Sequence, residues 1–315
     1  MKRSFLKIML LIIPSLVVLA SCDQPMEITI PAINTWIKQS NLPEDDLRLD
    51  ADVVTYNNEA YLLPGKGGTR FSSKPEILKY SDSNWTTIAK FDGFASAGNS
   101  LSIRNDHVIY ILGGVNGSNA PTEEVRAFSV RDNSFSAETR FSATTNATYT
   151  EDKAYFFSNE SFSSFDFSSG STESLPSIPT NEPVYSVLLT TENNTIYALF
   201  TAAAENNFFA FSAESKQWIE LADYPAGTRT GASIVSTTSD IYAGLGVNQE
   251  AFFDIWKYNF LSDEWVMFTE YPGVHFEAGF SFELNNELYF GGGFTGGGSI
   301  SNEVLNEEVY SIRVK

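Results

Sequence analysis

The chain has 315 residues and a formal net charge of −19, from 39 acidic and 20 basic residues. This charge argues against a nucleic-acid partner, because the chain offers no basic patch that would displace counterions from phosphates. The chain has one cysteine, which excludes an intrachain disulfide, so its stability must come from a packed core.

The first 22 residues have the pattern of a cleaved export signal. Lys2, Arg3 and Lys7 precede an apolar stretch over residues 8–18. The end of the segment, Leu19-Ala20-Ser21-Cys22, resembles the lipobox of bacterial lipoproteins. The resemblance implies that residues 1–21 are removed, that Cys22 carries acyl chains such as palmitate, and that the protein is anchored in the bacterial cell envelope. We expect the outer membrane; an ordinary signal with an incidental cysteine is the alternative.

Six apolar runs that each carry a tyrosine recur along the rest of the chain. The tyrosines are Tyr61, Tyr110, Tyr155, Tyr197, Tyr242 and Tyr289, and they lie 49, 45, 42, 45 and 47 residues apart. A strand-rich repeat with a period in the forties is typical of a β-propeller. Each unit has a strand and a polar turn before the tyrosine strand, and a third strand after it. A fourth strand begins at Trp85, Phe135, Trp218 or Trp265; the third unit has no such aromatic, and Leu175 is the best substitute.

The sixth unit ends at Lys315 without a fourth strand, and the missing strand is predicted near the start of the folded part. The segment around Trp36 is similar to the fourth strands around Trp218 and Trp265. We therefore expect an all-β, six-bladed β-propeller of four-stranded antiparallel blades over residues 32–315, with an N-terminal strand that completes the last blade. Residues 22–31 would be a linker. The blades are expected at about 48–91, 94–139, 142–178, 184–224, 229–271 and 276–315 plus 32–42.

Several features of these units resemble kelch repeats. They are the glycines that end strand two (Gly113-Gly114 and Gly291-Gly292-Gly293), the aromatic residue of strand three, the Trp seven residues later, and Pro225-x-x-x-Arg229 at the start of a blade. Arg48 stands in the place of Arg229 when Tyr61 and Tyr242 are aligned. The resemblance covers the chain from about residue 28 and implies a degenerate kelch-like propeller. Units three and four lack the glycine pair, so the loop geometry of blades 3 and 4 stays open.

The loops between strands two and three predict a lopsided face. From the repeat tyrosine to strand three they span 15, 14, 6, 10, 12 and 19 residues in units one to six. These loops share one face of a propeller with the blade-to-blade loops. We therefore expect a raised wall over blades 5, 6, 1 and 2, built by residues 247–253, 294–303, 65–73 and 115–123, as the place where a partner is held.

The residues that we predict to bind a ligand lie in this wall and the adjoining loops: Arg48, Arg70, Phe71, Arg229, Glu250, Phe252, His275 and Phe294. Aromatic rings beside planar polar groups suit sugars or peptides. Arg48 and Arg229 would either bind a carboxylate or pair with a carbonyl or acid of the next blade. The acidic run over residues 44–52 lacks the spacing of a calcium loop, and we expect no metal and no cofactor.

The sequence favours a non-catalytic, monomeric, lipid-anchored binding module for a glycan or a protein, because motifs for a nucleophile elbow, a phosphate loop or a zinc protease are missing. An enzymatic function is the alternative. Six-bladed envelope kelch propellers include sugar epimerases and mutarotases resembling N-acetylneuraminate epimerase, and this likeness would make Arg48, Arg229 and Glu277 catalytic. The third hypothesis is that the protein is a structural scaffold of an outer-membrane complex. Arginine and glutamate side chains that meet at the ring axis would favour the enzyme, and an exposed aromatic platform would favour a sugar.

Replacing Cys22 by alanine tests the expected lipid anchor. Because the acyl chains are expected on this residue, Cys22→Ala should take up no label from a palmitate analogue and should leave the membrane fraction. Asp23→Ala is the control, and it should keep both the label and the membrane association. Labelling of Cys22→Ala at the wild-type level would contradict the lipoprotein prediction.

Overall fold

The computed structural model describes residues 33–67, 73–90, 100–113, 125–138, 147–157, 161–180, 187–201, 207–295 and 304–314. The expected signal segment and linker, residues 1–31, lie outside these ranges. Among the described residues, no helix is long and apolar enough to cross a membrane.

The described elements are strands and one turn of 3₁₀ helix, Glu44–Asp46. The first part of the chain contains β1 (Trp36–Lys38), β2 (Val53–Tyr56), β3 (Glu59–Leu62), β4 (Gly65–Lys66), β5 (Ser73–Lys74), β6 (Glu76–Ser81), β7 (Asn84–Lys90), β8 (Ser100–Asn105), β9 (Val108–Gly113), β10 (Val125–Ser129) and β11 (Ser134–Glu138). The middle contains β12 (Ala147–Tyr149), β13 (Lys153–Phe157), β14 (Phe162–Asp166), β15 (Thr172–Leu175), β16 (Val187–Glu192), β17 (Thr195–Phe200), β18 (Phe208–Ser212) and β19 (Gln217–Glu220). The last part contains β20 (Ser233–Ser236), β21 (Asp240–Gly244), β22 (Val247–Asn248), β23 (Glu250–Ala251), β24 (Asp254–Asn259), β25 (Glu264–Glu270), β26 (Phe280–Leu284), β27 (Glu287–Gly291), β28 (Phe294–Thr295), β29 (Val304–Leu305) and β30 (Val309–Arg313).

The long strands form six four-stranded antiparallel sheets, which are the blades of a β-propeller. Blades 1 to 5 have the orders β2-β3-β6-β7, β8-β9-β10-β11, β12-β13-β14-β15, β16-β17-β18-β19 and β20-β21-β24-β25. The innermost strands β2, β8, β12, β16, β20 and β26 contact one another in sequence, and β26 returns to β2. The predicted all-β, six-bladed fold is therefore confirmed.

Asparagine pairs make several of the turns between the first two strands of a blade. Both residues of the pairs Asn57-Asn58, Asn193-Asn194 and Asn285-Asn286 have positive φ, between 48° and 64°. Two consecutive positive φ values define the tight hairpin turn whose twist matches that of the flanking strands, and asparagine tolerates this conformation. These pairs set the hairpin register that brings each inner strand to the axis.

Blade 6 is completed from the other end of the chain, with the order β1-β30-β27-β26. In this antiparallel pairing, Trp36 lies opposite Ile312 and Lys38 opposite Tyr310. The pairing continues past the strand, because the Gln39 amide donates to the carbonyl of Val309 at 2.8 Å. The predicted closure of the ring by the N-terminal strand is confirmed.

In blades 1, 4, 5 and 6, a tryptophan near the start of the fourth strand packs against the preceding blade. The ring of Trp85 in blade 1 meets Phe280 of blade 6 at 5.9 Å, and that of Trp218 in blade 4 meets Phe162 of blade 3 at 5.5 Å. Trp36 does the same for blade 6, since its ring lies edge-on to Tyr271 at 5.6 Å. Such aromatic contacts stabilise the seams between blades beyond the apolar area that they bury.

Blade 3 departs from this pattern, and the expected substitute is wrong. Thr172, and not Leu175, stands opposite Phe165 at the position that the tryptophans occupy. Leu175 ends the strand opposite Phe162 and is buried there. The register of β15 follows from the preceding turn, so the apolar residue three positions later cannot take the tryptophan's place.

Replacing Trp36 by alanine tests the closure. Because Trp36 is partly buried between blades 5 and 6, we expect the free energy of unfolding to fall by about 3 kcal/mol in a denaturant titration. Ile219→Ala, on an exposed face of β19, is the control and should stay within about 0.5 kcal/mol of the wild type. An unchanged unfolding midpoint in Trp36→Ala would show that β1 does not hold the ring together.

Candidate functional site

In the described part of the chain, three blades carry an extra hairpin between strands two and three. The hairpins are β4-β5 in blade 1, β22-β23 in blade 5 and β28-β29 in blade 6. Each gains a third partner from the loop that enters its blade, through the bridges Leu49–Lys66, Thr230–Val247 and Glu277–Phe294. We call the end of the propeller that bears them the hairpin face, and the opposite end the turn face. The corresponding loop of blade 2, residues 115–123, lies outside the described residues.

Close backbone approach explains the glycines that end strand two in blades 5 and 6. A Cβ atom added to Gly244 would lie 2.1 Å from the carbonyl oxygen of Asp254, and one added to Gly291 would lie 2.5 Å from that of Glu308. Past the strand, Gly246 and Gly293 have φ values of 86° and 73°, which turn the chain into the hairpin.

Arg48 is a buried residue of blade 1, with 1% of its surface exposed. Its Nη1 donates to the carbonyls of Leu63 and Glu76, at 3.1 and 2.6 Å, and its Nε to that of Asp46. The guanidinium therefore ties the loop that enters the blade to the end of strand two and the start of strand three. Burial lowers the pKa of Arg48 to about 10, so it stays protonated at neutral pH.

Arg229 repeats this arrangement in blade 5 and is 2% exposed. It holds the carboxylate of Asp254 through Nη1 at 2.7 Å and Nη2 at 3.1 Å, and Nη1 also donates to the carbonyl of Leu245. The Phe252 ring stacks on the guanidinium, with its centroid 4.0 Å from the central carbon. Each arginine is thus engaged within its own blade, and blade 6 has the buried Phe276 at the same place.

The remaining predicted residues are spread over the hairpin face. Glu250 begins β23 and is exposed, while Phe294 begins β28 and pairs through its backbone with Glu277. His275 lies edge-on to the exposed ring of Phe253 at 5.9 Å. Arg70 and Phe71 lie outside the described residues. The geometry therefore groups the predicted residues by blade and does not gather them around one point.

The axial channel opens on the hairpin face through a largely apolar mouth. A cavity of about 330 Å³ lies between the starts of the inner strands, with Ala232, Ile234 and Phe280 in its wall. Its polar lining residues are Asp50, Asp52, Ser233 and Ser281. The carboxylate of Asp52 accepts from the amides of Val53 and Ser102, at 2.8 and 3.1 Å. Burial raises the pKa of Asp52 in spite of these hydrogen bonds.

Deeper in the channel the wall is polar, because the six blades place one residue each at the same level. These residues pair with the residue just before the repeat tyrosine, and they are Thr55, Arg104, Tyr149, Thr191, Ser236 and Glu283. We call this set, together with Glu192, the lower channel; it encloses a cavity of about 420 Å³. It opens at the turn face into a vestibule of about 660 Å³.

Charge in the lower channel is divided between its two sides. On one side, the guanidinium carbon of Arg104 lies 5.4 Å from the ring centre of Tyr56 and 5.9 Å from that of Tyr149. On the other, burial and then the charge of Glu283 raise the pKa of Glu192. Burial also raises the pKa of Tyr149, and a cleft that holds such perturbed groups is a candidate binding site. Among the described residues, no group of three or more His, Cys, Asp or Glu is placed to hold a metal ion.

Sequence reasoning missed the lower channel. Arg104, Tyr149 and Glu283 each stand six residues before a repeat tyrosine, and this shared offset is the signal that would have placed them at one level. In sequence they are isolated polar residues within strands, and only the closed ring brings them together.

No known protein family matches the chain, and no curated protein matches it. The kelch-like pattern therefore rests on the repeat features of the chain itself, and what these features support is the six-bladed propeller.

Replacing Arg229 by methionine tests its structural role. Because the partly buried Asp254 and the carbonyl of Leu245 would both lose their partner, we expect the free energy of unfolding to fall by about 2–3 kcal/mol. Arg131→Met is the control: the Arg131 side chain is 61% exposed and pairs with Asp106 at the surface, so little change is expected. A loss in Arg229→Met no larger than in Arg131→Met would contradict this role.

The loss in Arg229→Met should also depend on pH. Burial alone would raise the pKa of Asp254, but the hydrogen bonds from Arg229 and Trp256 outweigh it and hold the pKa below 3.8. A lowered folded-state pKa stabilises the fold above the unfolded pKa, and this stabilisation disappears as the pH falls through the folded pKa. The difference between the variant and the wild type should therefore shrink below about pH 4. A difference independent of pH would contradict the Arg229–Asp254 pairing.

Proposed function

We propose that the protein is a non-catalytic binding module, anchored in the bacterial envelope through Cys22, that holds a segment of a partner protein on the hairpin face. The observation that carries the proposal is the matching hairpins on three consecutive blades, raised beside the apolar mouth of the channel. A rigid concave surface that combines an apolar pocket with a few convergent polar groups is the usual form of a binding site. Propellers as a class are compatible with such a role.

The exposed side chains of this face favour a protein over a glycan. Phe253, Val274 and Val304 are 38%, 48% and 64% exposed, although all three are large and apolar. Aliphatic groups of this kind pack against the side chains of a protein partner. A sugar site would present several flat rings, but Phe253 is the only exposed aromatic residue on the described part of this face.

The contacts of Arg48, Arg229 and Glu277 do not support the epimerase hypothesis. The donors of Arg48 and Arg229 that would grip a substrate already bind carbonyls and Asp254. Glu277 is held through its backbone to Phe294 in blade 6. The scaffold reading predicts a flat polar face, whereas the raised hairpins and the apolar mouth make this face neither flat nor uniformly polar.

Site-specific photocrosslinking in cells tests the proposal. A photoreactive phenylalanine analogue placed at Phe253, and in a second variant at Val274, should give a defined protein adduct. Leu261 is the matched control, because it is 98% exposed in the turn between β24 and β25, on the opposite face. The same analogue at Leu261 should give no adduct of that mass.

Two results would contradict the proposal. No protein adduct from Phe253 or Val274, or the same adducts from Leu261, would remove the hairpin face as a protein-binding surface. A glycan array on the purified full chain covers the glycan alternative. A saccharide bound by the wild type and lost in Phe253→Ser would assign the hairpin face to a glycan.

A further inference from the structure

The lower channel combines opposite charges that do not neutralise each other. Arg104 projects from blade 2, whereas Glu192 and Glu283 project from blades 4 and 6. Among the described residues, no salt bridge joins Arg104 to either carboxylate. The cavity therefore has Arg104 on one side and the two glutamates on the other, and the carboxylate of Asp52, which is bound by the amides of Val53 and Ser102, lines it towards the mouth.

Arg104 keeps donor capacity for a ligand. Its Nη1 donates to the carbonyl of Asp106 at 2.9 Å and its side chain also hydrogen-bonds the Tyr149 hydroxyl, while its Nε atom is buried without a hydrogen-bond partner among the described residues. The rings of Tyr56 and Tyr149 flank the guanidinium and restrict its movement. An arginine held in this way is suited to a carboxylate, because its donors form a fixed fork.

The two glutamates form the opposite side. One oxygen of Glu283 accepts from the amide of Asn286 at 2.7 Å, and no described residue donates a hydrogen bond to the carboxylate of Glu192. Burial raises the pKa of Glu192, and the negative charge of Glu283 raises it further. A cation placed between them would relieve this repulsion. Ammonium is such a cation, and it brings several donors.

We propose that the lower channel binds a small basic amino acid, with the ligand carboxylate on Arg104 and the ammonium of the ligand's side chain between Glu192 and Glu283. The cavity of about 420 Å³ is within the range of small-molecule sites. The vestibule selects among such ligands by charge, because Asp106, Glu151 and Asp152 line it. A field of this sign attracts ligands with a net positive charge, so basic amino acids should bind best.

Isothermal titration of the purified full chain with three probes tests the site. L-lysine carries every group that the proposal requires, cadaverine lacks the carboxylate, and L-norleucine lacks the side-chain ammonium. The wild type should bind L-lysine more tightly than either. Arg104→Gln should lower the affinity for L-lysine by roughly 10- to 100-fold and leave the affinity for cadaverine unchanged, because only L-lysine has a carboxylate that contacts Arg104.

A second variant and a control keep the result interpretable. Glu192→Gln should lower the affinity for both L-lysine and cadaverine by about tenfold. The substitution should not disturb the fold, because no described hydrogen bond depends on the Glu192 side chain. Lys90→Gln removes an exposed cation of blade 1, outside the lower channel and the vestibule, and should bind all three probes like the wild type. A thermal melt of each variant shows that the fold is kept; if Arg104→Gln does not fold, the Glu192→Gln result decides.

Three results would overturn the proposal. They are no heat with L-lysine at millimolar concentration, wild-type affinity in both Arg104→Gln and Glu192→Gln, or an equal loss in Lys90→Gln. The site lies away from the hairpin face, so its failure would leave the proposed protein-binding role unchanged.

Discussion

The pairing of β1 with β30 is the constraint on which the rest of the structure depends. Without β1, the outer edge of β30 would present unpaired backbone groups, and blade 6 would have three strands. The pairing also places Trp36 in the seam between blades 5 and 6, where its Nε1 donates to the hydroxyl of Thr269 at 3.3 Å. One short strand therefore completes a sheet and joins two blades, which makes the order of blades around the axis circular.

Both proposed sites follow from that circular order. The three hairpins are neighbours only because blade 6 adjoins blade 1, and the lower channel exists only because β26 returns to β2. The same inner strands then give the channel two chemistries. Their beginnings carry small and apolar residues around the mouth, whereas their ends carry Arg104, Glu192 and Glu283. One propeller can in this way present an apolar surface on one face and a charged cavity towards the other.

Repetition is what made the fold predictable from the sequence. Six tyrosines at a period in the forties set the number of blades, and the missing fourth strand of the last unit pointed to the segment around Trp36. The length of the loops after strand two predicted a wall on blades 5, 6, 1 and 2; the loops of blades 5, 6 and 1 each contain a hairpin, and the loop of blade 2 lies outside the described residues. These features are local in the chain, so a pattern read along the sequence captures them.

The site residues were harder to predict, because their roles depend on burial and on contacts between blades. Arg48 and Arg229 are compatible with ligand binding or with loop closure on sequence alone, and only their exposures of 1% and 2% favour loop closure. Arg104 gave no such signal, since an arginine inside a strand usually faces solvent. Leu175 failed as a substitute for tryptophan because strand register, and not residue type, places a side chain on a seam.

Amide hydrogen exchange of the N-terminal strand tests the closed ring most directly. We expect the amides of Ile37 and Gln39, which face β30, to exchange as slowly as those of Val309–Arg313, because these hydrogen bonds open only when the ring unfolds. Fast exchange of Ile37 and Gln39 beside a protected Val309–Arg313 would contradict the closed ring. In that case β1 would be a loose terminal segment, and neither the wall nor the lower channel could be derived from a closed ring.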